Sequence, residues 1–287
     1  MNYLKKFLFL LAYYSGLIGV TDLLYYKIFK GIHVPVLVYH SISDNIYSYG
    51  NEIGLSIRKE VFEEQIKYLK SRFTIVPFSE VSNCIHNYTE FKKSPISITF
   101  DDGYCDNYTN AYPILRKYQS PATVFLTSGN INSKRQIDWY NQDFLSRHKE
   151  GYEDFKANSM LSSDDIVKMK VDGIEFGAHT KTHPVLSGLS SDEQSIEIMD
   201  SIKEIEGLIK TPVKTFAYPF GGAKTFTDET ISILKGLGIE IAAVSYGGFN
   251  NLKTDRYKLR RIIIIDEPLY IFKARLSVFN IFIKGLW

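Results

Sequence analysis

The chain alternates between short apolar runs and longer amphipathic stretches. Eight apolar runs have the length and composition of buried strands, at 34–39, 73–76, 96–100, 122–127, 173–178, 215–220, 241–246 and 261–266. Five stretches place apolar residues at the spacing of a helix face, at 58–73, 108–119, 162–172, 191–210 and 227–238. Strands that alternate with helices predict βαβ units and a mostly parallel sheet. With this many units in about 250 residues, an irregular α/β barrel is favoured over an open sheet.

The two ends of the chain differ from the central domain, which we place at 32–267. In residues 1–31, Lys5 and Lys6 precede an uncharged run of 15 residues at 7–21, whereas a spanning helix needs about 20. No clean signal-peptide cleavage site follows this run. Residues 268–287 carry aromatic and aliphatic side chains at near-helical spacing among basic ones, as interfacial helices do.

These ends predict an N-terminal hydrophobic helix, as a membrane anchor or interfacial helix, and a C-terminal amphipathic helix. The protein is then expected to contact a membrane surface, as a membrane-associated or cell-envelope protein or as a peripheral one on the cytoplasmic side. The alternative is that both helices pack on the domain or on each other.

Composition and charge exclude several classes of protein. The 34 basic and 32 acidic residues leave a net charge of +2, without the basic excess of a nucleic-acid-binding protein. The two cysteines, Cys84 and Cys105, form no C-x-x-C motif, which excludes a zinc finger or a dithiol redox site. We expect two free thiols.

Two adjacent carboxylates, Asp101 and Asp102, follow the strand at 96–100. Consecutive strand residues point to opposite faces, so the two side chains cannot have the same role. They also repel each other, which calls for a compensating positive charge. One alternative is a simple turn, in which Asp101 caps the following segment and Asp102 is solvated.

A pair of histidines, His179 and His183 in "HTKTH", follows the strand at 173–178. At this spacing two side chains would share one face of a helical turn. Two imidazoles and one carboxylate make the open three-ligand set of a catalytic zinc site, because a fourth position remains for water. One aspartate could then bind the metal while the other accepts a proton from water as the general base.

Three motifs together resemble those of a known family. "TFDDG" (99–103), "HTKTH" (179–183) and "FAYPFG" (216–221) are similar, in order and spacing, to the motifs of the NodB-homology polysaccharide deacetylases, carbohydrate esterase family 4. The resemblance implies a distorted (β/α)7 barrel, a divalent metal that is usually Zn2+, and hydrolysis of N-acetyl groups on the amino sugars of a glycan or glycolipid.

By motif position, the resemblance assigns a role to each residue. Asp101 would be the general base, and Asp102, His179 and His183 would hold the metal. Tyr218 would donate its backbone N–H to the oxyanion of the tetrahedral intermediate, where such donors stabilise developing charge.

The sequence departs from the common family pattern because it has no D-x-x-D-W motif and no histidine after His183. The early "VLVYH" resembles the exopolysaccharide-modifying branch, which would make His40 the general acid; a structural histidine is the alternative. "LRRI" (259–262) resembles the late motif of that branch, which would make Arg261 the residue that orients Asp101 rather than a surface cation.

The remaining histidines, His33, His86 and His148, belong to no motif and are expected to be exposed. Trp139 lies in an expected loop insertion at 129–160, where it would stack on a sugar or anchor the loop. Two other functions are compatible with these motifs, namely an O-acetyl sugar esterase and a catalytically degenerate glycan-binding protein.

Overall fold

The computed structural model describes residues 33–44, 56–134 and 159–277, together with 10–11 and 14–16. Trp139, His148 and most of the N-terminal segment 1–31 lie outside the described residues, as does 278–287. Within the expected C-terminal helix, 269–276 is helical. None of the helices in the described part is both long and apolar enough to span a bilayer.

The strands and helices follow the predicted order with small changes of boundary. The strands are β1 (Val34–Tyr39), β2 (Ser41–Ile42), β3 (Ser56–Ile57), β4 (Thr74–Val76), β5 (Pro95–Phe100), β6 (Thr123–Leu126), β7 (Glu175–Ala178), β8 (Thr215–Ala217), β9 (Ile241–Gly247), β10 (Phe249–Asn250) and β11 (Leu259–Ile263). The α-helices are α1 (Lys59–Arg72), α2 (Val81–His86), α3 (Tyr112–Lys117), α4 (Ser163–Val171), α5 (Ser191–Ile209), α6 (Asp228–Gly236) and α7 (Leu269–Leu276).

Seven parallel strands close into a barrel, in the order β1, β5, β6, β7, β8, β9 and β11. The ring closes because β1 pairs with β5 on one side and with β11 on the other. The strand β4 pairs only with the first half of β5, and β10 pairs antiparallel with β1. The predicted barrel is therefore confirmed, and all seven carboxyl ends meet at one rim.

The barrel strands are buried on both faces, as parallel strands covered by helices are. Every residue of β1 and of β5 is buried, which explains why both strands appear in the sequence as continuous apolar runs. The helix α1 covers them with one apolar face, and its Phe62 packs edge-on against both Tyr39 and Phe100. These aromatic contacts join β1 and β5 of the barrel to the helix α1 that covers them.

Side-chain caps set the start of three predicted helices. Ser190 caps α5 and Ser162 caps α4, each in a reciprocal capping box with the acidic residue three positions later. The predicted helix at 108–119 differs, because it begins as a π-helix at Asn107–Ala111 and becomes α-helical only at α3. The short α2 was not predicted, since six residues cannot display a helical period.

The expectations for residues outside the motifs were mostly correct. Cys84 and Cys105 are both free thiols, as predicted. His86 is exposed, but the expectation for His33 was wrong. Its ring is half-buried because it packs edge-on against Phe249.

Candidate active site

The carboxylate pair follows β5 at the carboxyl rim of the barrel. The Asp101 N–H donates to the Tyr39 carbonyl at 3.0 Å, so the ladder with β1 continues through this residue. The chain then turns sharply, with φ of 73° at Asp102 and 82° at Gly103. A Cβ atom at Gly103 would lie 2.7 Å from Leu126 Cδ2. The glycine of "TFDDG" therefore allows the turn that separates the two carboxylates.

The side chains of Asp102, His179 and His183 converge at this rim, and all three are buried. Asp102 Oδ1 lies 3.5 Å from His179 Nε2 and 3.6 Å from His183 Nε2. These contacts are too long for good hydrogen bonds, and Asp102 Oδ1 has no hydrogen-bond partner among the described residues. Ligand atoms around a tetrahedral zinc ion are about 3.4 Å apart, so the three residues fit such an ion.

The orientation of His179 also suits a metal ligand. Its Nδ1 lies 2.7 Å from the Ala217 carbonyl oxygen, which can only accept, so Nδ1 carries the proton. In the neutral ring, the lone pair is then on Nε2, which faces Asp102. A backbone partner of this kind fixes the tautomer of metal-binding histidines.

The two histidines do not lie on a helical turn, and that prediction was wrong. Residues 179–183 form an irregular loop in which Thr180 and His183 have φ of 64° and 63°. Pro184 follows His183 and disfavours helical geometry there. The pair meets through the curvature of the loop, with ring centroids 4.8 Å apart.

The charges in this cluster also favour a cation. Burial tends to raise the pKa of Asp102, but the neighbouring histidines outweigh it and hold this pKa well below its usual range. Burial, together with the charge of His179, lowers the pKa of His183 to about 3. At neutral pH the cluster therefore offers an ionised carboxylate and a neutral imidazole, the protonation states in which both groups bind metals.

Asp101 faces a different partner, the guanidinium of Arg261 on β11. Two parallel contacts join Arg261 Nη1 to Asp101 Oδ1 at 2.6 Å and Arg261 Nη2 to Asp101 Oδ2 at 2.7 Å. The Arg261 side chain is fully buried, so the alternative of a surface cation is wrong. Its other donors reach the Val244 carbonyl, Thr99 Oγ1 and Ser245 Oγ.

This ion pair keeps Asp101 ionised inside the barrel. Burial tends to raise the pKa of Asp101, but the attraction of Arg261 and then of His179 lowers it below its usual value. Asp101 Oδ2 also lies 4.0 Å from His179 Nε2. The ionised Asp101 carboxylate therefore lies beside Asp102, His179 and His183, but it is farther from His179 Nε2 than the Asp102 carboxylate is.

His40 follows β1 and reaches the same rim. Its backbone carbonyl accepts a hydrogen bond from Asn107 Nδ2 at 2.7 Å, while its Nδ1 is buried without a partner among the described residues. The ring lies within electrostatic range of both Asp101 and Asp102. The earliest and the latest motif residues, His40 and Arg261, thus flank the carboxylate pair.

Tyr218 does not fit the role that the motif alignment assigned to it. Its backbone N–H donates to the Ala243 carbonyl at 3.1 Å, which continues the ladder between β8 and β9. Its ring is buried and stacked on Phe226, and its hydroxyl donates to the Tyr257 carbonyl at 2.9 Å. Because the N–H is already used, it cannot donate to an oxyanion without breaking the sheet.

The Tyr218→Phe variant leaves the backbone N–H in place and tests whether the Tyr218 hydroxyl takes part in the reaction. It removes only the hydrogen bond to the Tyr257 carbonyl, so we expect a loss of about 1 kcal/mol in the free energy of unfolding. The kcat/KM for deacetylation should stay within about twofold of the wild-type value. A large loss of kcat at unchanged stability would give Tyr218 a direct role in the reaction.

Sequence reasoning missed a second aromatic residue of the same motif, Phe220. It has φ of 60°, its side chain is 47% exposed, and its ring lies edge-on to His183 with centroids 4.7 Å apart. Its backbone N–H makes no hydrogen bond to another described residue. The available signal was Pro219, which has no N–H and so makes Phe220 the first residue able to donate after the strand.

The parallel barrel carries at its rim a cluster that could hold a metal ion beside a buried carboxylate, an arrangement compatible with a hydrolase. A family model described as polysaccharide deacetylase matches residues 88–242, and the chain belongs to this family. It is therefore a hydrolytic deacetylase.

Individual relatives agree with this assignment. The poly-beta-1,6-N-acetyl-D-glucosamine N-deacetylase of Staphylococcus aureus is 28% identical over 233 residues, covering 77% of this chain and 72% of that protein. The Bacillus subtilis protein YxkH is 28% identical over 235 residues, or 81% of this chain and 72% of the relative. The Streptococcus pyogenes deacetylase PplD, solved in complex with acetate, superposes with a TM-score of 0.68 at 25% identity, covering 85% of this chain and 99% of that one.

Proposed function

We propose that the protein removes N-acetyl groups from N-acetylhexosamine units of a polysaccharide or glycolipid, with Zn2+ or another divalent metal. The convergence of Asp102, His179 and His183 beside the ionised Asp101 carries this proposal. The name of the Staphylococcus aureus relative supports an N-acetylglucosamine polymer as the substrate class.

In this proposal Asp102, His179 and His183 hold the metal. When bound there, a divalent ion would supply Lewis acidity for the acetyl carbonyl and for the attacking water near neutral pH. Asp101 accepts the proton of the attacking water, since Arg261 keeps the Asp101 carboxylate ionised. Arg261 also binds both carboxylate oxygens of Asp101, and this contact orients the base.

His40 is the candidate general acid, which would protonate the departing amine. The Phe220 N–H replaces the Tyr218 N–H as the candidate donor to the oxyanion, because the Phe220 ring contacts that of His183 and this N–H has no partner among the described residues. Its left-handed φ turns the backbone away from the sheet and leaves this N–H unused.

Acetate release from a substrate panel tests the function. The panel contains N-acetylglucosamine oligomers, lipid-linked N-acetyl sugars, peptidoglycan fragments and an O-acetylated sugar. We expect release from an N-acetyl substrate, its loss after treatment with a chelator, and its return on adding Zn2+. Release from the O-acetylated sugar alone would make the protein an esterase, and activity unaffected by the chelator would contradict the metal-dependent mechanism.

Membrane association is a separate proposal, which rests on the composition of segments 1–31 and 268–287. Basic and aromatic residues in such segments favour an anionic lipid surface. We expect the full chain to float with anionic vesicles in a density gradient. A chain that remained in the bottom fraction would contradict this proposal.

A further inference from the structure

The loop that carries the two histidines has an unusual backbone. Thr180 and His183 both have a positive φ, which is uncommon for residues other than glycine and a genuine outlier for a β-branched one. Such conformations persist only where the surroundings hold them in place. The contacts of residues 180–182 therefore decide how the two imidazoles are presented.

One side of the loop is held through its carbonyl groups. Ser128 N–H donates to the Thr180 carbonyl at 3.2 Å, and Gly129 N–H donates to the Lys181 carbonyl at 2.9 Å. The approach is tight, because a Cβ atom at Gly129 would lie 2.7 Å from the Lys181 carbonyl oxygen. This contact with the segment after β6 leaves the N–H groups of the loop facing the other way.

The other side of the loop is held by Glu197 on α5, whose backbone carbonyl accepts from Lys181 N–H at 3.1 Å and whose carboxylate makes the further contacts. Glu197 Oε2 accepts from Lys181 N–H at 3.0 Å and from Thr182 N–H at 2.9 Å. Its Oε1 accepts from the Thr182 hydroxyl at 2.8 Å. Three donors from two consecutive residues thus converge on a single side chain that lies outside the metal cluster.

The Lys181 side chain adds a second, separable attachment to the same helix. Its ammonium group pairs with Asp200 at 3.0 Å and with Glu204 at 3.1 Å. Within the 179–183 loop these carboxylates contact only the flexible end of the lysine, although Glu204 also accepts from the Ser128 hydroxyl at 2.6 Å, whereas Glu197 contacts the loop backbone. Loss of Glu197 should therefore disturb the histidines more than loss of the lysine pairs.

We propose that Glu197 is a positioning residue, which holds the 179–183 loop in the geometry that brings His179 and His183 to the metal. The inference rests on the proposed metal site and deepens it. The outer partners of metal ligands commonly change metal affinity 10–100-fold when they are replaced. Glu197 acts one step further out, on the backbone that carries both ligands.

The test uses the full chain with Glu197→Met, which keeps much of the length of the side chain but removes both acceptor oxygens. We expect its affinity for Zn2+, measured by competition with a chromophoric chelator, to fall about tenfold or more. Two matched variants serve as controls. Glu240→Gln removes an exposed carboxylate that pairs with Lys214, and Asp200→Asn removes one Lys181 ion pair; both should keep wild-type affinity within about twofold.

Thermal unfolding separates positioning from a merely structural role. A bound metal raises the melting temperature by an amount that depends on its affinity. We expect this metal-induced rise to shrink in Glu197→Met and to persist in both controls. An equal drop of the metal-free and metal-loaded melting temperatures, with unchanged affinity, would overturn the inference. A wild-type chain that bound no Zn2+ at all would instead overturn the proposed metal site.

Discussion

The Asp101→Asn variant is expected to keep its metal and to lose about 10²–10⁴ in kcat, the usual contribution of a general base. The amide cannot accept a proton, although it still fits beside Arg261 and can accept one hydrogen bond. Asp101 is not among the three converging ligand residues, so metal affinity should change little. Acetate release and chelator competition on the same preparation measure both quantities.

The His179→Ala variant provides the contrast, because it removes a candidate ligand and should lose metal and activity together. His86→Ala is the matched control, since this histidine is exposed on α2 and should change neither. If purified Asp101→Asn retained near-normal deacetylation, the assignment of the general base would be wrong. Loss of the metal in Asp101→Asn would instead make Asp101 a ligand.

The Arg261→Met variant is expected to lose about 3–5 kcal/mol in the free energy of unfolding, the usual cost of leaving a buried charge without its partner. Asp101 is 2% exposed, so water cannot replace the guanidinium. Arg116→Met is the matched control, because Arg116 pairs with Asp172 while its own side chain is 63% exposed and that of Asp172 is 34% exposed. Its loss should cost no more than about 1 kcal/mol. Urea unfolding measures both.

The same variant should change the pH dependence of activity. Burial raises the pKa of Asp101 and Arg261 opposes it, so without Arg261 the pKa rises and the base is protonated at a higher pH. The acid limb of kcat/KM should therefore move to higher pH. A carboxyl group whose pKa is lower in the folded than in the unfolded chain stabilises the folded state at pH values above the unfolded pKa. The stability lost with Arg261 should therefore be largest at neutral pH and shrink in acid.

The double variant Asp101→Asn/Arg261→Met separates the two roles of the pair. It removes both buried charges, and we expect it to recover much of the stability that Arg261→Met loses. Its activity should stay as low as that of Asp101→Asn alone. A double variant less stable than the sum of the single losses would show that the pair does not act as a unit.

The barrel could be predicted from the sequence because its strands are buried on both faces and therefore appear as continuous apolar runs. The carboxylate pair and the histidine pair could be placed at one rim for the same reason, since each follows such a run. The backbone conformation of the 179–183 loop could not be predicted from the sequence in this way. The left-handed residues Thr180 and His183 depend on contacts with 128–129 and Glu197, which are distant in sequence.

The error at Tyr218 has a specific physical cause. The strand β8 ends at Ala217, but its ladder continues through one more N–H, which donates to Ala243. The number of amides that a neighbouring strand uses is decided by register, and register depends on residues far along the chain. A comparison of motifs matches residue types and does not show which backbone N–H groups beyond the end of the strand already form hydrogen bonds.

Closure of the barrel between β1 and β5 has a consequence for how the site is encoded. A ring has no first strand, so position along the chain places no limit on which motifs can meet at the rim. His40 and Arg261 come from opposite ends of the domain, yet β1 and β11 are hydrogen-bonded neighbours. A circularly permuted gene that opened the ring elsewhere would list the same residues in another order and still build the same site.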